Sequence, residues 1–297
     1  IILTRGTSES KMINNFLVGV KIFIILLFIV VSVQHVQPSN WHPFLPYGVK
    51  GIFTGASAIF FSFLGFDALA TSAEDAKDVD KNIPRAIILC LVISTTLYIL
   101  VSLVMTGVVS YTKLNVSEAM SYVLIVKGHS FVAEVVSLGA VLGIMAVVFA
   151  FIYAGSNILK SMSRSAFLPQ NLAQLNTKTH SPNRAIWLVG ILSAILAGEF
   201  DLHYLALIAN IGSLMVFALI SLVVIILRYR YPELKRPFKV PFGKTIPILS
   251  IIICIVLLVS ISLTAWLTYL AWIAVGLLIY FTYSLRHADE FNFTSED

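Results

Sequence analysis

The chain has 297 residues, of which 58% are hydrophobic and 12% are charged, and its mean hydropathy is +0.92. Soluble domains carry about 25% charged residues, so this composition excludes a soluble globular protein and indicates a membrane protein with several spans. The net charge of +5 does not indicate a nucleic-acid partner, because the basic residues cluster beside predicted helix ends rather than on a polar domain.

Eight apolar segments of the sequence have about the 20 residues that an α-helix needs to cross the hydrocarbon core of a bilayer. In chain order they cover residues 14–33, 51–73, 85–109, 129–155, 185–200, 203–227, 246–263 and 266–285. The sequence therefore predicts an all-α transmembrane protein with eight transmembrane helices and the lipid bilayer as its surroundings.

The first span contains a basic residue, Lys21. At a rise of 1.5 Å per residue it lies about 10 Å inside the predicted span, so its stem can carry the ammonium group back to the membrane surface. The alternative is functional. A lysine removed from water releases its proton more easily and can gain and lose a proton during a transport cycle. The sequence leaves both interpretations open.

The second span contains Gly65 followed by a carboxylate, Asp67. A charge at membrane depth costs a few kcal/mol and usually marks a functional site, and glycine weakens a helix by about 1 kcal/mol relative to alanine. Helices that break near the midplane are typical of transporter binding sites. The pattern therefore predicts a broken helix with a substrate site. Two other roles of Asp67 stay open, namely a hydrogen bond to a neighbour of a kinked helix and an N-cap of a second half-helix.

Basic residues are distributed unequally between the two predicted sides of the membrane. If the N-terminus is cytoplasmic, sixteen of the twenty Lys and Arg lie on the cytoplasmic side, Lys21 lies in a span, and Lys50, Lys113 and Lys127 lie outside. Cytoplasmic loops of membrane proteins are enriched in Lys and Arg. The sequence therefore predicts that both termini of this chain are cytoplasmic.

The chain lacks the residue patterns of metal sites and of membrane enzymes. Its six histidines have no metal-ligand spacing, and we expect neither a metal nor another cofactor. The fourth span has no Ser or Thr between Gly139 and Tyr153. Because Na⁺ needs several oxygen ligands, this favours protons over sodium ions as the coupling ion, although backbone carbonyls could replace the hydroxyl groups. No HExxH motif, nucleophile elbow or second intramembrane Asp accompanies Asp67, so an intramembrane enzyme is the less favoured alternative.

Four segments resemble, in this order, the amino acid-polyamine-organocation (APC) superfamily, and specifically bacterial permeases of the cationic amino acid transporter type. They are FSFLGFDALATSAED at 61–75, NIPRAI at 82–87, SMSRSAFLP at 161–169 and RYRYPELKRPFKVP at 228–241.

The resemblance implies the inverted-repeat, broken-helix (LeuT-like) transporter fold, of which this chain matches the last eight of twelve helices. Because the chain starts without Met, we expect it to lack an upstream part. Residues 1–297 would form one transmembrane domain, with 14–33 as the last helix of the first repeat, 51–227 as the second repeat and 246–285 as the final two helices.

The resemblance also implies roles for individual residues. The helix would unwind between Ser62 and Gly65, through Leu64, so that free carbonyls bind the α-ammonium group of an amino acid. Phe61 would close over the substrate, and Asp67 would lie beside the pocket for its side chain. Lys21 matches a lysine that replaces a sodium ion in proton-coupled members.

We therefore expect secondary active transport of amino acids across the plasma membrane by proton-coupled symport, with an amino acid and a proton as partners and the oligomeric state left open. The alternative class is a non-transporting membrane sensor or scaffold of transporter ancestry.

Overall fold

The computed structural model describes residues 7–66, 78–177, 181–236 and 238–287. The described residues form helices and connecting loops and contain no β-strand. Asp67, one of the predicted site residues, lies outside the described residues.

The α-helices of these ranges are numbered here in chain order. They are α1 (Thr7–Val33), α2 (Gly48–Ile59), α3 (Val79–Val108), α4 (Ala119–Val126), α5 (Ser130–Arg164), α6 (Asn183–Glu199), α7 (Leu202–Arg230), α8 (Thr245–Val259) and α9 (Leu263–Thr282). Short 3₁₀ helices cover Pro38–Trp41, Phe60–Phe63, Tyr111–Lys113, Gln170–Leu172 and Ser284–Arg286.

Each of the eight predicted spans contains a helix, but the helices differ in their capacity to cross a bilayer. Within the described residues, five segments are long and apolar enough, namely Met12–Val33, Val79–Val108, Ser130–Arg164, Tyr204–Arg230 and Leu263–Arg286. Gly48–Phe63 and Thr245–Val259 are shorter apolar helices, and α6 has 17 residues. The all-helical membrane architecture is therefore confirmed, while the count of eight membrane-crossing helices stays a prediction.

The boundary between the last two predicted spans lies earlier than the sequence predicts. Helix α8 ends at Val259, so the predicted end at residue 263 is wrong by four residues. The backbone of Ser262 is extended, with ψ of 147°, and α9 starts at Leu263 rather than at residue 266. The apolar run is nearly continuous here, so hydropathy alone does not locate the turn.

The chain divides into two compact units, each described by itself. The first comprises residues 1–46, 89–158 and 174–189, and the second comprises residues 47–88, 159–173 and 190–297. The core of the first unit contains Phe28, Leu124 and Val136, which are at most 1% exposed. These side chains come from α1, α4 and α5, so the short helix α4 contributes to this core.

A loop after α1 is attached to the end of α3 within the first unit. The backbone N–H of Gln37 and the side-chain Nδ2 of Asn40 both donate to the carbonyl of Gly107, at 2.9 and 2.8 Å. The indole of Trp41 donates to the carbonyl of Leu103 at 3.2 Å. A side chain at Gly107 would meet Trp41 at 3.1 Å, so the glycine permits this close approach.

The core of the second unit is formed by α7, α8 and α9. Ile211 and Leu214 of α7 are fully buried and pack with Leu257 of α8 and Ala265 of α9. A hydrogen bond of 3.0 Å from Ser221 Oγ to the hydroxyl of a serine on α8, Ser250, also joins α7 and α8. Helix α2 and the 3₁₀ turn after it pack on this core, which positions the predicted substrate segment.

Candidate functional site

Helix α2 ends inside the predicted substrate segment. The chain changes from α-helix to 3₁₀ helix at Phe60, and the 3₁₀ helix ends at Phe63. Leu64 is extended, with ψ of 141°, and Gly65 has φ of +117°, a conformation that favours glycine. The helix therefore ends just before the glycine at which the sequence predicts a break, and residues 67–77 after it lie outside the described residues.

The structure brings four of the predicted site residues together on this break. Phe61 and Ser62 are exposed, whereas Leu64 and Gly65 are half-buried. The N–H of Leu64 donates to the carbonyl of Phe61 at 3.2 Å. The substrate-binding role of these four residues stays a prediction, as does that of Asp67, which lies outside the described residues.

A buried amide of α7 contacts the last turn of α2. The N–H of Phe60 donates to the carbonyl of Ala56 in the last α-helical hydrogen bond of α2. The next carbonyl, that of Ser57, accepts a 3.0 Å hydrogen bond from Nδ2 of Asn210. Asn210 is 1% exposed, so a side chain of another helix satisfies the first carbonyl beyond the α-helical bonds of α2.

The hydroxyl of Ser57 connects the same turn to α8. It donates to the carbonyl of Phe53 at 3.0 Å and approaches the carbonyl of Leu257 at 3.3 Å. Ser57 is 5% exposed. The end of α2 is thus held from both α7 and α8.

An aromatic side chain of α7 contacts both sides of the break. The ring of Phe217 lies edge-to-face with Phe60 at 6.1 Å between centroids and stacks on Phe66 at 5.2 Å. Such aromatic pairs contribute about 0.5 to 1.5 kcal/mol beyond the burial of their area. Because Asn210 and Phe217 are seven residues apart, they lie on one face of α7. This face contacts the chain from the last turn of α2 to Phe66.

Lys21 belongs to the first unit, on α1. The apolar part of this helix is Met12–Val33, which is long enough to cross a bilayer. The side chain of Lys21 is exposed, so both the snorkelling and the functional interpretation of this lysine stay open.

The stem of Lys21 runs along a glycine of α5. A methyl group added at Gly143 would lie 3.4 Å from Cγ and Cδ of Lys21, which is ordinary contact distance. One turn earlier, a methyl group at Gly139 would overlap Cδ1 of Ile24 and lie 2.6 Å from its Cγ1. The two glycines form a GxxxG sequence, which lets helices approach closely in membranes.

The sequence contains features that indicate three further residues, Asn210, Gly139 and Gly143. Because none of them is charged, an argument from charged residues alone does not identify them. Asn210 is an amide in the middle of the predicted span 203–227, and intramembrane polar groups usually face a partner. Gly139 and Gly143 are the glycines of a readable GxxxG motif. The partner of each of these residues, by contrast, is visible only in the structure.

Comparison with known proteins identifies the family. Residues 1–284 match the amino acid permease family. The chain belongs to that family. The resemblance to APC superfamily permeases expected from the sequence is thereby confirmed.

Named relatives of this permease family member transport several kinds of substrate. The chain is 44% identical over 287 residues to the methylthioribose transporter of Bacillus subtilis (strain 168), with 97% of this chain and 62% of the relative covered. It is 40% identical over 288 residues to the branched-chain amino acid permease BcaP of the same organism, again with 97% and 62% covered. The cationic amino acid transporter 9 of Arabidopsis thaliana, described as chloroplastic, is 33% identical over 228 residues, with 77% of this chain and 40% of the relative covered.

The chain spans about three fifths of the length of the two Bacillus relatives. These relatives are named as permeases and transporters, which argues against the membrane-enzyme alternative.

Proposed function

We propose that this permease carries out secondary active transport of amino acids across the plasma membrane, by symport with protons. The observation that carries the proposal is the break of α2 at Phe60 to Gly65, within a segment that resembles the substrate-binding motif of the family. Unwound backbone presents carbonyl groups, which attract a cation such as the α-ammonium group of an amino acid. Membership of the amino acid permease family supports the same function.

The substrate site in this proposal consists of Phe61, Ser62, Leu64, Gly65 and Asp67. The carbonyls of the segment receive the ammonium group, and the ring of Phe61, exposed in the structure, covers the bound substrate. Asp67 would lie beside the substrate side chain, where a carboxylate favours a cationic group.

Proton coupling is assigned in this proposal to Lys21. Its place within the apolar segment Met12–Val33 supports this assignment, because ionisable residues inside membrane segments usually mark a functional site. The segment between Gly139 and Tyr153 has no hydroxyl side chain, which leaves an ammonium as the simplest cation for this position.

A second candidate substrate is methylthioribose, because the transporter of this compound shares 44% identity with the chain. Methylthioribose is a neutral thioether sugar without an ammonium or carboxylate group. A site built on backbone carbonyls alone would bind methylthioribose with less favourable free energy than an amino acid, because hydrogen bonds to a charged ammonium group are stronger than those to a neutral hydroxyl group. The branched-chain relative favours a neutral amino acid, whereas the carboxylate of Asp67 favours a cationic one.

The membrane arrangement in this proposal has both termini of the chain in the cytoplasm. It keeps 14–33 as the last helix of a first repeat, 51–227 as the second repeat and 246–285 as the final two helices. The unequal distribution of Lys and Arg supports the orientation.

Uptake measurements test the proposed function directly. The protein expressed from its complete coding sequence is reconstituted in proteoliposomes, and a pH gradient is imposed with the acidic side outside. We expect accumulation of radiolabelled leucine, lysine or alanine that a protonophore abolishes. Accumulation of methylthioribose with no amino acid uptake would favour the second candidate, and absence of gradient-driven uptake of any of these compounds would contradict the proposal.

A further inference from the structure

We propose that Asn210 is a positioning residue for the broken helix: its side-chain amide fixes the point at which α2 ends and so sets the carbonyls of the following turn for the substrate. This inference rests on the proposed function, because it concerns the same segment. It adds a residue of α7 to a site that otherwise consists of residues from a single segment of the chain.

The first argument is the place of the hydrogen bond. A helix leaves its last carbonyls without an intrahelical partner, and the Ser57 carbonyl is the first one beyond the last α-helical bond of α2. Asn210 donates to this carbonyl at 3.0 Å. If the amide were absent, Ser57 could instead accept from the N–H of Phe61 and extend the α-helix by a residue, which would rotate the predicted substrate carbonyls.

The second argument is burial. Asn210 is 1% exposed, and a buried amide is costly unless it is hydrogen-bonded. Because the acceptor is a carbonyl, the amide must direct Nδ2 and not Oδ1 towards Ser57. Within the described residues, Oδ1 is buried without a hydrogen-bond partner. A buried polar side chain with one group unsatisfied is poorly explained by packing alone.

The third argument is the surroundings of Asn210 on α7. Leu214, four residues later, is fully buried, and Phe217, seven residues later, contacts Phe60 and Phe66 on the two sides of the break. One face of α7 therefore holds the last turn of α2 by a hydrogen bond and the following turn by ring contacts. A change in the position of α7 would move both.

Two variants of Asn210 distinguish the loss of the donated hydrogen bond from the loss of side-chain volume. Asn210→Ala removes the whole amide, whereas Asn210→Leu keeps nearly the same size but has no group that can donate to Ser57. The matched control is Ser221→Ala, which removes a 3.0 Å hydrogen bond between α7 and α8, eleven residues further along the same helix. Folding is checked by the yield of monodisperse protein in detergent.

The first measurement is the kinetics of uptake of the amino acid that the wild-type protein transports. We expect both Asn210 variants to raise KM about tenfold, as expected for the loss of one buried hydrogen bond, with less than a twofold change in maximal rate. The control is expected to change neither value by more than twofold.

The second measurement does not depend on transport. Leu64→Cys is introduced in a background without Cys90 and Cys254, and the rate of its reaction with a maleimide is compared with and without each Asn210 variant. We expect the rate to change at least threefold in both Asn210 variants and to stay unchanged in Ser221→Ala. If the wild-type protein transports no amino acid, the proposed function fails, while this labelling rate still decides the role of Asn210.

Three results would overturn the proposal. The first is wild-type KM and labelling rate in Asn210→Leu, because the role would then need no donated hydrogen bond. The second is an equal effect of Ser221→Ala, which would indicate general loosening of α7. The third is failure of both Asn210 variants to fold while the control folds, since Asn210 would then determine the fold rather than position the segment.

Discussion

At the scale of single residues, the proposed role of Lys21 is tested by separating charge from proton release. Lys21→Arg keeps a positive charge, but a guanidinium group does not lose its proton in proteins. We therefore expect Lys21→Arg to abolish amino acid accumulation driven by a pH gradient, and Lys21→Ala to do the same. The measurement is uptake into proteoliposomes with and without the gradient.

The control for this experiment is Lys50→Arg, which makes the same change at an exposed lysine near the start of α2. It is expected to transport as the wild type does. If Lys21→Arg accumulated substrate with wild-type dependence on the gradient, Lys21 would be a structural or snorkelling charge, and the proton would use another group.

Arg236 is a second residue whose chemistry makes a sharp prediction. Its guanidinium donates to the carbonyls of Leu227 and Tyr231 at 3.2 and 2.7 Å, and to those of Pro232 and Leu234 at 3.2 and 3.1 Å. These carbonyls lie at and beyond the end of α7, and those of Leu227 and Tyr231 also accept backbone N–H groups. The planar fork of arginine can bridge several of them, and the point charge of lysine cannot.

We expect Arg236→Lys to lower the free energy of unfolding by about 1 kcal/mol, because a partly exposed group loses only part of its hydrogen-bond energy. Thermal unfolding in detergent measures this change. Arg230→Lys, at an exposed position on the same helix end, is the control and should leave the unfolding midpoint unchanged. Equal midpoints for the two variants would show that Arg236 does not stabilise the helix end.

At the scale of helices, the sequence predicts where helices lie along the chain far better than it predicts which residues of different helices contact each other. Hydropathy located a helix in every predicted span, because twenty apolar residues have few alternatives in a bilayer. Gly65 lies just after the end of α2, in a positive-φ conformation that few other residues tolerate. The contacts of Asn210 with Ser57 and of Ile24 with Gly139 join residues that are distant in sequence, and a single sequence contains no signal for such pairing.

The packing of α1 on α5 gives a graded prediction. A methyl group at Gly139 would overlap the side chain of buried Ile24, a methyl group at Gly143 would only touch Lys21, and one at Gly19 would meet nothing within 4 Å. Overpacking of a tight contact costs about 1 to 3 kcal/mol. We therefore expect Gly139→Ala to lower the free energy of unfolding by about this amount, and Gly143→Ala and Gly19→Ala to have little effect.

Unfolding of the reconstituted protein in mixed micelles measures this series. The double variant Ile24→Val with Gly139→Ala removes Cδ1, the nearer of the two overlapping atoms, while Cγ1 stays. It should be less destabilised than the sum of the two single variants, as expected for residues in contact. Additive effects, or equal loss of stability at all three glycines, would contradict the packing of α1 on α5 through Gly139.

At the scale of the whole molecule, the membrane arrangement depends on one short helix. Between Lys113 and Lys235 lie the short helix α4, which has 8 residues, and then α5, α6 and α7. Of these, α5 and α7 contain segments long enough to cross the bilayer. Helix α6 has 17 residues, at the lower limit of about 17 to 25 for a crossing helix. If α6 crosses, the two lysines lie on opposite sides of the membrane, and if it does not, they lie on the same side.

The distribution of basic residues predicts the first arrangement, with Lys113 outside and Lys235 in the cytoplasm. We therefore expect a membrane-impermeant maleimide added to intact cells to label Lys113→Cys but not Lys235→Cys, each in a background without Cys90 and Cys254. Permeabilisation of the cells should allow labelling of both, which controls for reactivity. Labelling of both variants in intact cells would show that α6 does not cross, and labelling of Lys235→Cys alone would reverse the predicted orientation. Either result would remove the agreement between the eight predicted spans and the charge asymmetry, and with it the main support for cytoplasmic termini.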